Sequence, residues 1–218
     1  DNTHYSVCLT GNGSYLLSEY GHGYYMPPDQ SQFRPLKEIG QAVRILKSWP
    51  APDGCVYYID TLWNFCCGQS NFTYELSGYQ FNIIEFYAFG QLVLLFGTAS
   101  GVQATSNVST GHEPLTGTLL IFETICPGFL RFYGERLFSA KYGVPVDATF
   151  HPDTDLIYML FNTPHSGKSK DLLHVCFGKK AELIGGKENH SDINICRSAR
   201  ANPSPACVSY SSLVCYQG

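Results

Sequence analysis

Apolar residues gather along this chain in short runs bounded by glycine, proline and small polar residues, which is how β-strands and their turns are written. Ten runs stand out, at residues 5–9, 55–59, 79–88, 91–96, 118–125, 129–133, 136–142, 156–161, 172–177 and 208–214. In the third, Tyr79, Phe81, Ile83, Glu85 and Tyr87 alternate with Gln80, Asn82, Ile84 and Phe86, so one face is more apolar and the other is partly covered, as in a central strand. Phe129 to Tyr133, then Gly134 and Glu135, then Arg136 to Ala140 reads as a hairpin with a two-residue glycine-containing turn. One segment follows a helical period instead: Leu36, Ile39, Val43 and Leu46 come after Pro35, a good first helical residue, with Gly40 interrupting. Loops are expected at 26–33, 48–54, 97–117, 145–153, 162–170 and 185–194. No period repeats and no linker-like stretch divides the chain, so residues 1–218 read as a single domain. The expected fold is an all-β antiparallel sandwich with long loops.

Composition sharpens this. A chain of 218 residues can bury roughly 70% of its unfolded surface without needing disulfides. Charged residues are 15% and aromatics 14%, with 15 Tyr and 14 Phe, which excludes disorder and coiled coil. The net charge of −4 and the lack of any basic run argue against nucleic acid, whose binding draws on counterion release. The most apolar stretch, 92–96, is far short of the roughly 20 residues that span a bilayer, and no leader precedes Asp1, so the chain reads as a soluble segment excised from a longer protein.

Nine cysteines, Cys8, Cys55, Cys66, Cys67, Cys126, Cys176, Cys196, Cys207 and Cys215, are dispersed without a C-x-x-C pair, a spacing that suits disulfides better than zinc. Reduced, buried thiols are the other reading. Sequons at Asn12, Asn71, Asn107 and Asn189 favour the secretory route and hence disulfides, while Asn202 is excluded by Pro203. Adjacent Cys66 and Cys67 are expected to reach two different partners, because a vicinal disulfide closes a strained ring. Cys196 and Cys207 enclose a short Ser, Ala and Pro-rich segment and are the best local pair, their loop contributing roughly 3 kcal/mol. One cysteine must be left over, with Cys215 the natural choice.

Catalytic motifs are scarce. The chain has no G-x-S-x-G, H-E-x-x-H or complete G-x-G-x-x-G. Gly167-Lys168-Ser169 resembles the end of a phosphate loop, but Asn162 stands where its first glycine belongs. Asp153 and Asp155 beside His151 offer ligands for a hard cation, against the plainer reading of an Asp-rich turn. His112 and Glu113 form an acid/base pair without a third partner. Neither a catalytic residue, a metal nor a cofactor is assigned. Recognition chemistry is better represented, by Trp49, Trp63, Tyr24, Tyr25, His112 and Glu113, since aromatic faces cover sugar C–H surface while polar neighbours bond hydroxyls. Trp49, Trp63, His112 and Glu113 are the candidate ligand-binding residues, although most Tyr and Phe at this density fill a core.

Two segments resemble the N-terminal domain of the S1 subunit of coronavirus spike glycoproteins. Gly23-Tyr-Tyr-Met-Pro-Pro-Asp-Gln-Ser-Gln-Phe-Arg-Pro-Leu36 is similar to the family's Gly-Tyr-Tyr-Pro segment followed by Ser-x-Phe-Arg. Ile193-Asn-Ile-Cys196 through Ala206-Cys207 is similar to its closing cysteine pair. The resemblance implies a galectin-like sandwich, glycosylated, on a virion spike anchored by a segment outside this chain. It further implies attachment to a host glycan, sialylated or otherwise, or to a protein receptor. The intact spike would be a homotrimer and the isolated domain a monomer. A secreted sialate esterase is the enzymatic alternative, but no Gly-Asp-Ser nucleophile occurs.

Overall fold

A computed structural model describes residues 5–10, 13–18, 23–35, 45–79, 81–99, 116–163 and 172–194. Strands dominate, and they form four antiparallel four-stranded sheets, so the fold is all-β as the sequence predicts. The chain divides into two compact units, one of residues 1–78, 88–93 and 122–132, the other of 79–87, 94–121 and 133–218.

In the first unit, β1 (Tyr5–Thr10), β2 (Gly13–Ser18), β3 (Tyr24–Met26) and β4 (Arg34–Pro35) form one sheet in that order. A second sheet comprises β5 (Ile45–Pro50), β6 (Val56–Asp60), β7 (Asn64–Cys67) and β8 (Thr73–Glu75). The apolar run in β6 is continuous because this strand is buried on both faces. Val56, Tyr58 and Cys66 pack with Ile45 against Tyr15 and Tyr25 of the first sheet. Tyr57 and Phe65, one residue out of phase, point the other way into an aromatic cluster. There Phe65 lies 5.6 Å from Phe72 and 5.4 Å from Phe122, ring to ring.

Four long strands, β9 (Phe81–Phe89), β10 (Leu92–Ala99), β11 (Thr116–Cys126) and β12 (Phe129–Leu137), lie in the sheet order β12-β11-β10-β9, and each contributes residues to both units. In the second unit, β13 (Val144–His151), β14 (Leu156–Thr163), β15 (Leu172–Gly178) and β16 (Asn189–Asn194) form a sheet in sequence order. In the same unit the buried aromatics Phe96, Phe138 and Phe161 meet at 5.0 to 6.4 Å, and the Tyr142 ring lies tilted 5.7 Å from that of Phe161.

Two expectations are corrected. The hairpin at Gly134 does not form, because β12 runs straight through it. Gly134 is there for close packing: a Cβ at that position would lie 2.9 Å from Ile184 Cδ1. The turn falls earlier, at Gly128, whose φ of 80° lies in the left-handed region that glycine adopts without penalty. Of the expected helix, 36–44 lies outside the described residues and Leu46 belongs to β5; the α-helix that is described, α1, is Lys180–Ile184. Among the described residues Cys55, Cys66, Cys67 and Cys126 are free thiols, and the expected pair Cys196 and Cys207 lies outside the described residues. Cys66 and Cys67, as successive strand residues, face opposite sides of β7. The final run at 208–214 lies outside the described residues.

Candidate functional site

Of the predicted site residues, Trp49, Trp63, Asn71 and Asn189 are described, and His112, Glu113, Asn12, Asn107, Cys196 and Cys207 lie outside the described residues. The two tryptophans stand at opposite ends of β6. Trp49 pairs with Tyr57 near the start of that strand, while Trp63 follows its end in the turn to β7. Tyr57 to Asp60 alone is about 10 Å of strand at roughly 3.3 Å per residue, so the tryptophans do not share one subsite.

The Trp63 turn is tied by Asp60. Its Oδ1 accepts hydrogen bonds from the Leu62 and Asn64 backbone at 2.9 and 2.8 Å, and its Oδ2 accepts from the Asn64 side chain at 3.0 Å. Trp63 N–H donates to the Asp60 carbonyl at 3.0 Å, and its own carbonyl accepts from Leu76 N–H at 2.7 Å. These bonds hold Trp63 at φ 60°, a left-handed conformation that costs a bulky residue about 1–2 kcal/mol. They also leave Leu62 74% exposed at the tip.

Trp49 sits half-buried on β5, an edge strand, and Lys47 Nζ lies 5.6 Å from its ring centroid. Lys47 escapes a helical reading of this segment. Read as a strand, positions 47 and 49 fall on one face, and the pair becomes visible.

Between Trp49 and the β6–β7 hairpin lies a polar knot built on Asp53 of the Pro52-Asp53-Gly54 turn. Asp53 Oδ1 accepts from Cys55 N–H at 3.0 Å, and Oδ2 accepts from the Tyr57 hydroxyl at 2.8 Å and from Gly128 N–H at 3.3 Å. Gln69 Oε1 accepts from Val56 N–H at 3.0 Å while its Nε2 donates to the Gly54 carbonyl at 3.3 Å, and the Ser70 hydroxyl donates to the Gly128 carbonyl. Burial, and then the Asp53 carboxylate, push the Tyr57 phenol well above its ordinary range. The Cys67 thiol is lowered to about 7, first by a hydrogen bond from Cys55, and Cys55 is correspondingly raised. Burial pushes the Cys66 thiol up to about 11. These bonds tie the 52–55 turn to Gln69, Ser70 and the Gly128 turn.

The Tyr25 ring lies tilted 4.8 Å from that of buried Tyr15 and packs, partly buried, against the core. Asn71 is exposed in the β7–β8 turn, and Asn189 is exposed at the start of β16, an edge strand. Asp155, at φ 55°, lies with Asp153 in the turn between β13 and β14, and no cluster of metal-ligating side chains occurs among the described residues.

No family model matches the chain, and no curated protein sequence does. Among solved structures, it is similar to the crystal structure of the N-terminal domain of Nup159, at 9% identity and a TM-score of 0.47. That similarity covers 86% of this chain, which spans 47% of the other.

Proposed function

We propose that this chain is a non-enzymatic attachment domain of a viral spike glycoprotein, displayed outside the cell on the virion, and that it binds a sialylated glycan of the host surface. The Gly23–Leu36 and Ile193–Cys207 resemblances support the family, and a galectin-like arrangement is part of the same reading. The observation that carries the ligand class is the Lys47 and Trp49 pair on β5. An ammonium beside an aromatic ring complements an acidic sugar, the ring covering C–H surface and the ammonium meeting the carboxylate. The protein's own net charge is negative, so this local cation and not a general basic field supplies the attraction.

Single glycan contacts are weak, and multivalent display raises apparent affinity by about 10² or more. An Fc fusion of the chain on a glycan array is therefore the test. Sialosides are expected to bind, with binding lost in Trp49→Ala and weakened in Lys47→Gln, while Trp63→Ala retains it. A blank array together with tight binding to a host protein ectodomain overturns the sugar reading and leaves a protein receptor.

A further inference from the structure

We propose that an N-linked glycan on Asn71 folds back onto the tip of the β11–β12 hairpin, its first N-acetylglucosamine covering Phe129 and Ile125. The inference rests on the extracellular display proposed above, since the secretory route delivers an Asn-x-Thr sequon to the glycosylating enzyme. There the asparagine amide nitrogen loses a proton and bonds the anomeric carbon of a lipid-linked oligosaccharide, whose lipid pyrophosphate leaves. The tip presents apolar surface to such a sugar. Ile125 is 60% exposed near the end of β11 and Phe129 46% exposed at the start of β12, with Cys126 exposed beside them. Further along the same strands Phe122 and Leu130 are buried, so the exposed apolar pair belongs to the tip.

Asn71 is held next to that tip. The Ser70 hydroxyl donates to the Gly128 carbonyl, and a Cβ at Gly128 would lie 3.2 Å from Ser70 Cβ, so the β7–β8 turn and the hairpin tip are fastened together. Gly128 N–H is tied as well, to Asp53 at 3.3 Å. Asn71 and Phe129 each follow one of the two fastened residues, a single Cα step of about 3.8 Å along the chain. A sugar on exposed Asn71 therefore meets the tip at high effective concentration, and a weak contact suffices. The pyranose lays its C–H surface on the Phe129 ring, and its acetamido methyl suits an aliphatic neighbour such as Ile125. Next along the hairpin, Arg131 and Glu123 neutralise each other as an ion pair, which fits a neutral sugar and not an acidic one.

The test secretes the full chain from mammalian cells with Asn12, Asn107 and Asn189 changed to Gln, and peptide mapping reads the occupancy of Asn71. An endoglycosidase then trims the glycan to its single protein-linked sugar. In NMR spectra the ring protons of that sugar are expected to shift upfield and to show cross-peaks to Phe129, both lost in Phe129→Ala. Urea midpoints complete the cycle: Asn71→Gln should lower the midpoint in this chain and leave it unchanged in Phe129→Ala. An occupied Asn71 whose sugar protons are unshifted, with equal midpoint losses in both backgrounds, would overturn the packing alone. An unoccupied Asn71 overturns the proposal one step earlier, along with the glycosylation that extracellular display entails.

Discussion

At the scale of single residues, the first unit depends on groups kept neutral or fully bonded in a closed interior. Tyr15, Tyr57 and Tyr58 are buried, and burial is the main cause that raises each phenol above its ordinary value of 10.0. A raised folded value means the protonated phenol contributes stability that is fully present below pH 10 and is lost as pH rises from there towards the folded values. Alkaline titration followed by tyrosinate absorbance and circular dichroism should show exposed tyrosines ionising gradually near pH 10. The buried set should then appear in one step together with loss of the fold. Titration of every tyrosine near pH 10 with an unchanged β spectrum would contradict this packing.

At the scale of elements, β12 makes the sharpest prediction. Because Gly134 lies within a continuous strand against Ile184, Gly134→Ala should destabilise by about 1–3 kcal/mol, as overpacking does. Adding Ile184→Ala should recover part of that, a coupling that urea midpoints would read at constant slope. A freely tolerated alanine would point to an open turn instead. The same strand explains why a hairpin is predicted there, since glycine marks turns and close approaches alike, and only the facing side chain tells them apart. Buried central strands were legible, β6, β10, β11, β14 and β15 each coinciding closely with an apolar run, and so were the edge strands β1 and β9. Three other edge strands were not. β13 carries Pro145 beside a bulge, β16 reads Asn-His-Ser-Asp-Ile-Asn, and β5 ends in Trp49-Pro50. Proline and polar residues on an edge discourage pairing with other chains, and they also erase the hydrophobic signal of a strand. The Lys47 and Trp49 pair was hidden for that reason, its strand reading as helix and loop. Asp53 was hidden differently, because a turn aspartate gives no sign that its carboxylate also binds Gly128, 75 residues away.

At the scale of the whole molecule, the exposed features agree with one another. Asn71 and Asn189 offer their sequons at a turn and at a sheet edge, where attached sugar would cover backbone that could otherwise pair. Trp49 and Lys47 sit on another edge strand, within the first unit. The proposed attachment to an acidic host sugar would join these features to the spike-like segments, and binding of the multivalent Fc fusion to cells before and after sialidase treatment tests it most directly. The account predicts binding that sialidase abolishes and that Trp49→Ala fails to show. Binding that survives sialidase but is removed by protease treatment of the cells would contradict it.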